Sequence, residues 1–407
     1  MNNKMQKHSL VPEMKLLLLC AKRNQSAKER LLTEECIRGP IDWNIFFTLA
    51  MKNRIYPVIF QNLKQADNGS IDAKVLRKLE EKCKGNQLKA LRLTRELMKV
   101  TGLLEQHSIR ALSVKGPYLA LSLYHDVSLR VSKDLDILVS SSDLEQIDRL
   151  LKEAGYQEEE ATRHLSRRQR EHYIKKYYHI SYSSQNGIQL ELHWRLMNSN
   201  YSITFEEAWR NKQEADLFGS RLLVLRDEEN MLYLIQHGSK HAWKRLRWLC
   251  DIYEFIQNRE LDWDYIRERS KALGTLYQLK QTELLLKELL QAVLPIELEL
   301  SNLDQITAER LAEMALPFIT AMDENPEAPG HSLFGYYVDY MYLWQKSFGK
   351  KFRYVLSFIA PKVGDFHKYK ISDRLFFLYY FCRPIRLLNK YLKPKIFRRS
   401  KNDRKET

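Results

Sequence analysis

Apolar residues change their spacing twice along this chain, dividing it into a helical stretch, a strand-rich stretch and a second helical stretch. Residues 1–100 form a helical N-terminal region, periodic from residue 12. In it Asp42 stands as an N-cap before the apolar run through Phe46, Phe47 and Leu49. Residues 101–226 predict an α/β core. Ile109 to Val114 reads as a short buried strand that stops at Lys115-Gly116-Pro117, and Tyr118 to Tyr124 then resumes helical spacing. Arg130-Val-Ser-Lys-Asp134-Leu-Asp136-Ile-Leu-Val139 predicts a second strand, and His179 to Trp194 predicts a hairpin turning at Asn186-Gly187. Helical periodicity returns over 227–321, where Leu261-Asp262-Trp263 repeats the earlier helix entry. Two such entries are too few for a repeat array. Residues 322–407 begin with the clearest linker, Asp323 to Gly330, and continue into a tail.

The second strand carries the chemistry. Residues i and i+2 of a strand share a face, so Asp134 and Asp136 present two carboxylates together while Leu135, Ile137 and Val139 enter a core. Like charges held so close call for a cation, and Mg²⁺ is commonly held by one or two carboxylates plus substrate phosphates. The hairpin's second arm alternates Ile188, Leu190, Leu192 and Trp194 with Gln189, Glu191 and His193, so Glu191 lies on the polar face as a third carboxylate. With the hairpin beside the Asp134 strand, the three acids suit a two-metal clamp on a phosphoryl transfer. The strand, Gly turn and helix around Lys115-Gly116 leave backbone N–H groups at a helix start, which can receive a phosphate.

Lys115-Gly116, Arg130 with Asp134-x-Asp136 and Leu138-Val139, and Glu191-Leu-His193-Trp194 together resemble the bacterial uncharacterised nucleotidyltransferase family, a branch of the DNA polymerase beta-like superfamily. The motif order matches from about residue 40 to about residue 275. The resemblance implies an α+β fold, a mixed-sheet core flanked by helical N- and C-terminal regions. It also implies transfer of a nucleotide from an NTP such as ATP to a hydroxyl-bearing acceptor, with loss of pyrophosphate. Asp134, Asp136 and Glu191 would hold two Mg²⁺ ions and Glu191 would help to deprotonate the acceptor, while Lys115, Gly116 and Arg130 position the triphosphate. Most of the superfamily places Gly-Ser before the paired acids; here Lys115 would take over the phosphate contact, and Pro117 removes a backbone donor. The acceptor, whether sugar, small molecule, peptide or protein, is not specified. A fold that serves only as a binding or scaffolding module at a membrane surface is the alternative.

The helical stretch holds a second constellation, His237-Gly-Ser-Lys240-His241-Ala-Trp243-Lys-Arg245-Leu-Arg247-Trp248-Leu-Cys-Asp251. His237 and His241 are one turn apart, as are Arg247 and Asp251. A metal site would need a third ligand, so a hydrogen-bonded structural helix and a wall of the substrate cleft are the competing readings, with His193, His237 and His241 as cleft residues.

Charge and cysteine content bound the remaining classes. The five cysteines are scattered without a Cys-x-x-Cys pair, which argues against a disulfide framework or structural zinc. Leu16 to Ala21 is too short for a signal core, and no apolar run is long enough to span a bilayer, so a cytoplasmic protein is expected. The formal charge is +15, and from Tyr340 onward 18 Lys and Arg face only 4 Asp and Glu, which is nearly all of the excess. That tail is also crowded with aromatic residues, among them Phe348, Phe352, Tyr354, Phe358 and Phe376 to Phe381. It either packs on the body, with Arg398 to Thr407 solvated, or contacts an anionic membrane surface and makes the protein peripheral to the inner face of the membrane. No nucleic-acid reader element accompanies the charge, so nucleic acid is the weakest partner.

Overall fold

The computed structural model describes residues 10–67, 69–197 and 203–386. Seven strands, β1 (Ala111–Ser113), β2 (Asp134–Val139), β3 (Gln157–Glu158), β4 (His179–Ser183), β5 (Gln189–His193), β6 (Gln213–Leu217) and β7 (Ser220–Val224), form one mixed sheet in the order β3-β4-β5-β2-β1-β7-β6. The β2–β5 and β1–β7 pairings are parallel and the others antiparallel. Helices flank this sheet before and after it in the chain, giving the α+β class expected from the resemblance.

Alternation along β2 decides what each face meets. Leu135, Ile137 and Val139 point into a layer shared with Ile147 and Leu151 of the helix Leu144–Glu153 and with Leu93, Leu97 and Val100 of the helix Ala73–Gln106. The opposite face turns Leu138 toward a larger core that joins the N-terminal helices to the helices after residue 227. Each fully buried Leu or Ile stabilises by about 1.5–3 kcal/mol, so the register that separates the two sets is strongly favoured. The helix Ala73–Gln106 begins among the N-terminal helices at Val75 and Leu79 and ends under the sheet, so residue 100 falls inside it.

The N-terminal helices are tied to the distant helix Asn302–Thr320 by Lys52, whose buried amine donates to the carbonyls of Phe318 and Ile319, each at 2.7 Å. Those carbonyls lie in the helix's last turn, where they lack intrahelical partners and where a cation is favourable. Helix entries follow the local rules: Asp42 accepts from Asn44 and Ile45, and Asp262 accepts from Tyr265.

Much of the basic tail packs on the body. In the helix Phe334–Trp344, Tyr340 and Trp344 are buried; Tyr340 donates to the Ser239 carbonyl at 2.5 Å, and the Trp344 ring N–H donates to the Ser239 hydroxyl at 3.0 Å. Further on, Phe366, Phe376 and Tyr379 form a small cluster of their own, and the Tyr379 hydroxyl accepts from Gln169 at 3.1 Å. Between these segments the helix Phe348–Ile359 buries none of its residues. The stretch Arg398 to Thr407 lies outside the described residues.

Candidate active site

Parallel pairing of β2 with β5 sets Asp136 directly opposite Glu191, and Asp134 opposite Gln189, all on the sheet face that carries Leu138. His193, two residues beyond Glu191, reaches back between the acids: its Nε2 is 3.1 Å from Asp136 Oδ1 and 3.2 Å from Glu191 Oε2. Neither ring nitrogen meets hydrogen-bond geometry with any partner, so these are charge contacts rather than directed bonds. The ligand atoms of Asp136, Glu191 and His193 all lie within 4.8 Å of one another. Asp134 stands one strand step away on the same face, outside that tight group.

The electrostatics follow from this crowding. Burial opposes ionisation of Asp136, but the Lys115 charge, contact with His193 and the Arg130 charge hold its carboxyl well below the usual range. Burial raises the Asp134 carboxyl, and Asp136 and Glu191 raise it further. Burial likewise opposes the charged form of His193, yet Asp136 and Glu191 outweigh it and lift the imidazole to about 9. At neutral pH the two acids are thus bridged by an imidazolium. A divalent cation fits the same site by displacing the imidazole proton: two opposed carboxylates, a third on the same face, and a buried ring nitrogen that becomes a donor once deprotonated.

Around this cluster lies a cavity of about 280 Å³, near the lower end of the roughly 300–1,000 Å³ range of ligand pockets. Lys115, Gly116, Arg130 and His237 line it, whereas His241 does not. Lys115 donates to the Tyr233 hydroxyl at 2.7 Å. Gly116 opens the helix Gly116–Tyr124 with φ +71°, a left-handed conformation that a side chain would strain. Arg130 is already committed: its guanidinium donates to both Asp251 oxygens at 3.0–3.2 Å and to the Ser132 hydroxyl at 3.1 Å. The Tyr124 hydroxyl donates to the same Asp251 at 3.0 Å. His237 and His241 pack tilted and edge-on in a ring cluster that includes Trp248, and the metal-type cluster found among the described residues does not include them. A larger cavity of about 530 Å³ opens between the helix Ala73–Gln106 and β7, but its charged residues are paired, Arg110 with Glu206 and Arg221 with Glu214. The smaller cavity is the one that holds unspent chemistry.

The model of a family described as uncharacterised nucleotidyltransferase matches residues 39–291, well over half of the 407. The chain belongs to that family. No curated protein and no solved structure matches it. Every residue of this nucleotidyltransferase named above as lining the cavity lies within the matched span.

Several cavity residues of the nucleotidyltransferase carried no assigned role in the sequence. Arg54 ends the helix Trp43–Asn53 in a left-handed C-cap, and nothing local marks it as facing β2 from outside the α/β core. Tyr178 and His179 precede and open β4, while Tyr233 lies in the helix Asp227–Lys240. Arg245, Arg247 and Trp248 belong to the constellation singled out around His237, which gave the only sequence signal for that wall.

Proposed function

We propose that this nucleotidyltransferase moves a nucleotidyl group from an NTP to a hydroxyl on a second substrate, using Mg²⁺ held by Asp134, Asp136 and Glu191. The observation that carries this reading is the opposed pair Asp136 and Glu191 on parallel strands, with Asp134 on the same face, inside a cation-rich cavity. When bound, the metal supplies charge neutralisation and orientation for in-line displacement at phosphorus. The chain's residues do the rest. Glu191 receives the acceptor's hydroxyl proton, and the acceptor oxygen bonds to the α-phosphorus as the bond to the bridging oxygen breaks. Pyrophosphate then leaves, while Lys115 offsets the negative charge at the reacting phosphorus. The Gly116 turn brings the start of its helix up to the cavity, where main-chain N–H groups meet phosphate oxygen. Arg130 holds the segment leading into β2 against the helix Arg247–Asn258 through Asp251. Pyrophosphate release from each NTP, measured with Mg²⁺ and with the metal chelated, tests the reading. Labelled NTP in a cell lysate, followed by identification of what becomes labelled, finds the acceptor. No release from any NTP under either condition would leave the binding-module alternative.

A second element rests on the helix Phe348–Ile359. Phe348, Phe352, Val355, Leu356 and Ile359 recur at helical spacing and are all exposed, at 84%, 57%, 53%, 40% and 45%, with Lys350, Lys351 and Arg353 alongside. No helix among the described residues is long and apolar enough to cross a membrane. An amphipathic basic helix of this kind suits the surface of an anionic bilayer, which would place a cytoplasmic enzyme at the inner face of the membrane.

A further inference from the structure

Six Arg and Lys side chains line the cavity against three carboxylates, and of the six Arg130 is neutralised by a carboxylate from outside it. Two of the others stand apart. Arg54 and Arg245 come from segments almost two hundred residues apart, and a buried hydrogen bond beside them joins these segments: the Asn53 side-chain oxygen accepts from the Leu246 N–H at 2.8 Å. Their neighbours all have structural partners. Lys52 donates to the Phe318 and Ile319 carbonyls, and Lys244 pairs with Glu327. Among the described residues neither Arg54 nor Arg245 has a carboxylate within ion-pair distance, and the buried Arg245 Nε has no hydrogen-bond partner. Burial first, and then the Arg245 charge, push the Arg54 guanidinium down to about 10. Asp134 and Glu324 pull the other way from beyond contact range, and both guanidiniums remain charged at neutral pH.

Two guanidiniums held together with no counter-ion cost free energy unless an anion completes them. They face the carboxylate cluster across one small cavity, which gives the missing anion a place and a valence. Divalent cations on the acids would add still more positive charge, so the ligand that fits is a polyanion long enough to reach from the acids to the arginines. We infer that Arg54 and Arg245 form the seat of the β- and γ-phosphates of the NTP and, after transfer, of the departing pyrophosphate. This rests on the proposed nucleotidyl transfer. It assigns the terminal phosphates to two positioning residues on the helical side of the cavity, and leaves Lys115 beside the reacting phosphorus. Forked guanidinium donors match phosphate oxygens in pairs, which an ammonium group does not.

The test uses the full chain with inorganic tripolyphosphate as probe, read by calorimetry with Mg²⁺ present and no acceptor. Arg54→Met and Arg245→Met should each weaken binding by roughly 10-fold or more, as expected for loss of charged hydrogen bonds. Arg245→Lys should restore part of the loss, and Arg110→Met, outside this cavity, should leave affinity unchanged. In turnover assays the same variants should raise KM for the NTP and weaken product inhibition by pyrophosphate, without changing KM for the acceptor. Tripolyphosphate affinity unaltered in the double variant Arg54→Met/Arg245→Met would overturn the inference, as would failure of the wild-type protein to bind the probe, or a KM effect confined to the acceptor. Tripolyphosphate binding that is lost in the variants of a protein releasing no pyrophosphate from any NTP would uphold the seat and refute the transfer reaction. Normal turnover with unchanged NTP KM in the variants would do the reverse.

Discussion

Replacing Asp251 with Asn should destabilise the protein severely, because Asp251 is fully buried and balances a guanidinium that is itself only 3% exposed. Breaking a buried ion pair from one side leaves the other charge uncompensated, at a cost of about 3–5 kcal/mol. Part of the Tyr124 hydrogen bond to the same carboxylate goes too, adding up to about 1 kcal/mol. Against a typical total stability of about 5–15 kcal/mol, the loss would move a urea unfolding midpoint far toward zero denaturant. The converse variant is the sharper half of the test. Arg130→Met, Asp251→Leu and Tyr124→Phe together remove both charges and the stranded hydroxyl, and apolar replacement of a buried pair is often neutral or stabilising. The triple variant should therefore recover most of what Asp251→Asn loses. Urea unfolding followed by tryptophan fluorescence and by circular dichroism reads both. An Asp251→Asn midpoint within error of wild type, or a triple variant no more stable than the single one, would refute the assignment of Arg130 to a buried structural pair.

Asp136→Asn should abolish Mg²⁺-dependent pyrophosphate release, and wild-type turnover in that variant would remove the metal assignment. Because Lys115, His193 and Arg130 surround the carboxylate, the same change should lower stability by about 1–3 kcal/mol rather than relieve repulsion. Burial first, then the neighbouring charges of Lys115, Lys240, Lys244, Arg245 and Arg247, holds His237 and His241 well below the usual histidine range. They stay neutral when folded and bind protons when unfolded, so stability should fall as pH drops below about 6.5, by up to about 1.4 kcal/mol per pH unit for each. Melting temperatures from pH 7 to 5 check the slope, which should shrink in His241→Gln. Phe352→Asp with Leu356→Asp, on the helix face that buries nothing, should leave the melting temperature unchanged and abolish salt-sensitive binding to phosphatidylserine vesicles; retained binding would exclude that helix as the anchor. Truncation after residue 330 is a poorer test, since it strips Tyr340 and Trp344 from the core.

Local pattern carried the elements well. The Asp134–Val139 strand, the Asn-Gly hairpin and the aspartate-capped helix entries all follow from period-two alternation, turn dipeptides and capping residues. Three members of the acid cluster were legible because strand geometry alone puts Asp134 with Asp136 and turns Glu191 to the polar face. What sequence could not convey was pairing between distant segments. The insertion of His193 between Asp136 and Glu191 depends on the parallel register of β2 and β5, and the use of Arg130 depends on Asp251 in a helix over a hundred residues away. Arg54 was invisible for the same reason: a helix-ending arginine has no signature until the Asn53–Leu246 hydrogen bond puts it across from the acids. In the tail, composition showed charge and aromatic density but could not separate Tyr340 and Tyr379, fully buried, from Phe348, almost fully exposed.

The bond from Lys52 to the end of the helix Asn302–Thr320 has a consequence for biosynthesis. It joins positions 266 and 267 residues apart, so the first helices to leave the ribosome wait for a partner that has not been made. At about 5–20 residues per second the delay is on the order of 15–50 s. During that interval the Lys52 amine lacks the carbonyls that bury it and the helix Asn302–Thr320 has yet to join the core it shares with the first helices, so a nascent chain stalled there presents an apolar surface to chaperones. Translation speed across the middle of the message should therefore govern the soluble yield of this enzyme more than the strength of any single contact within its first hundred residues.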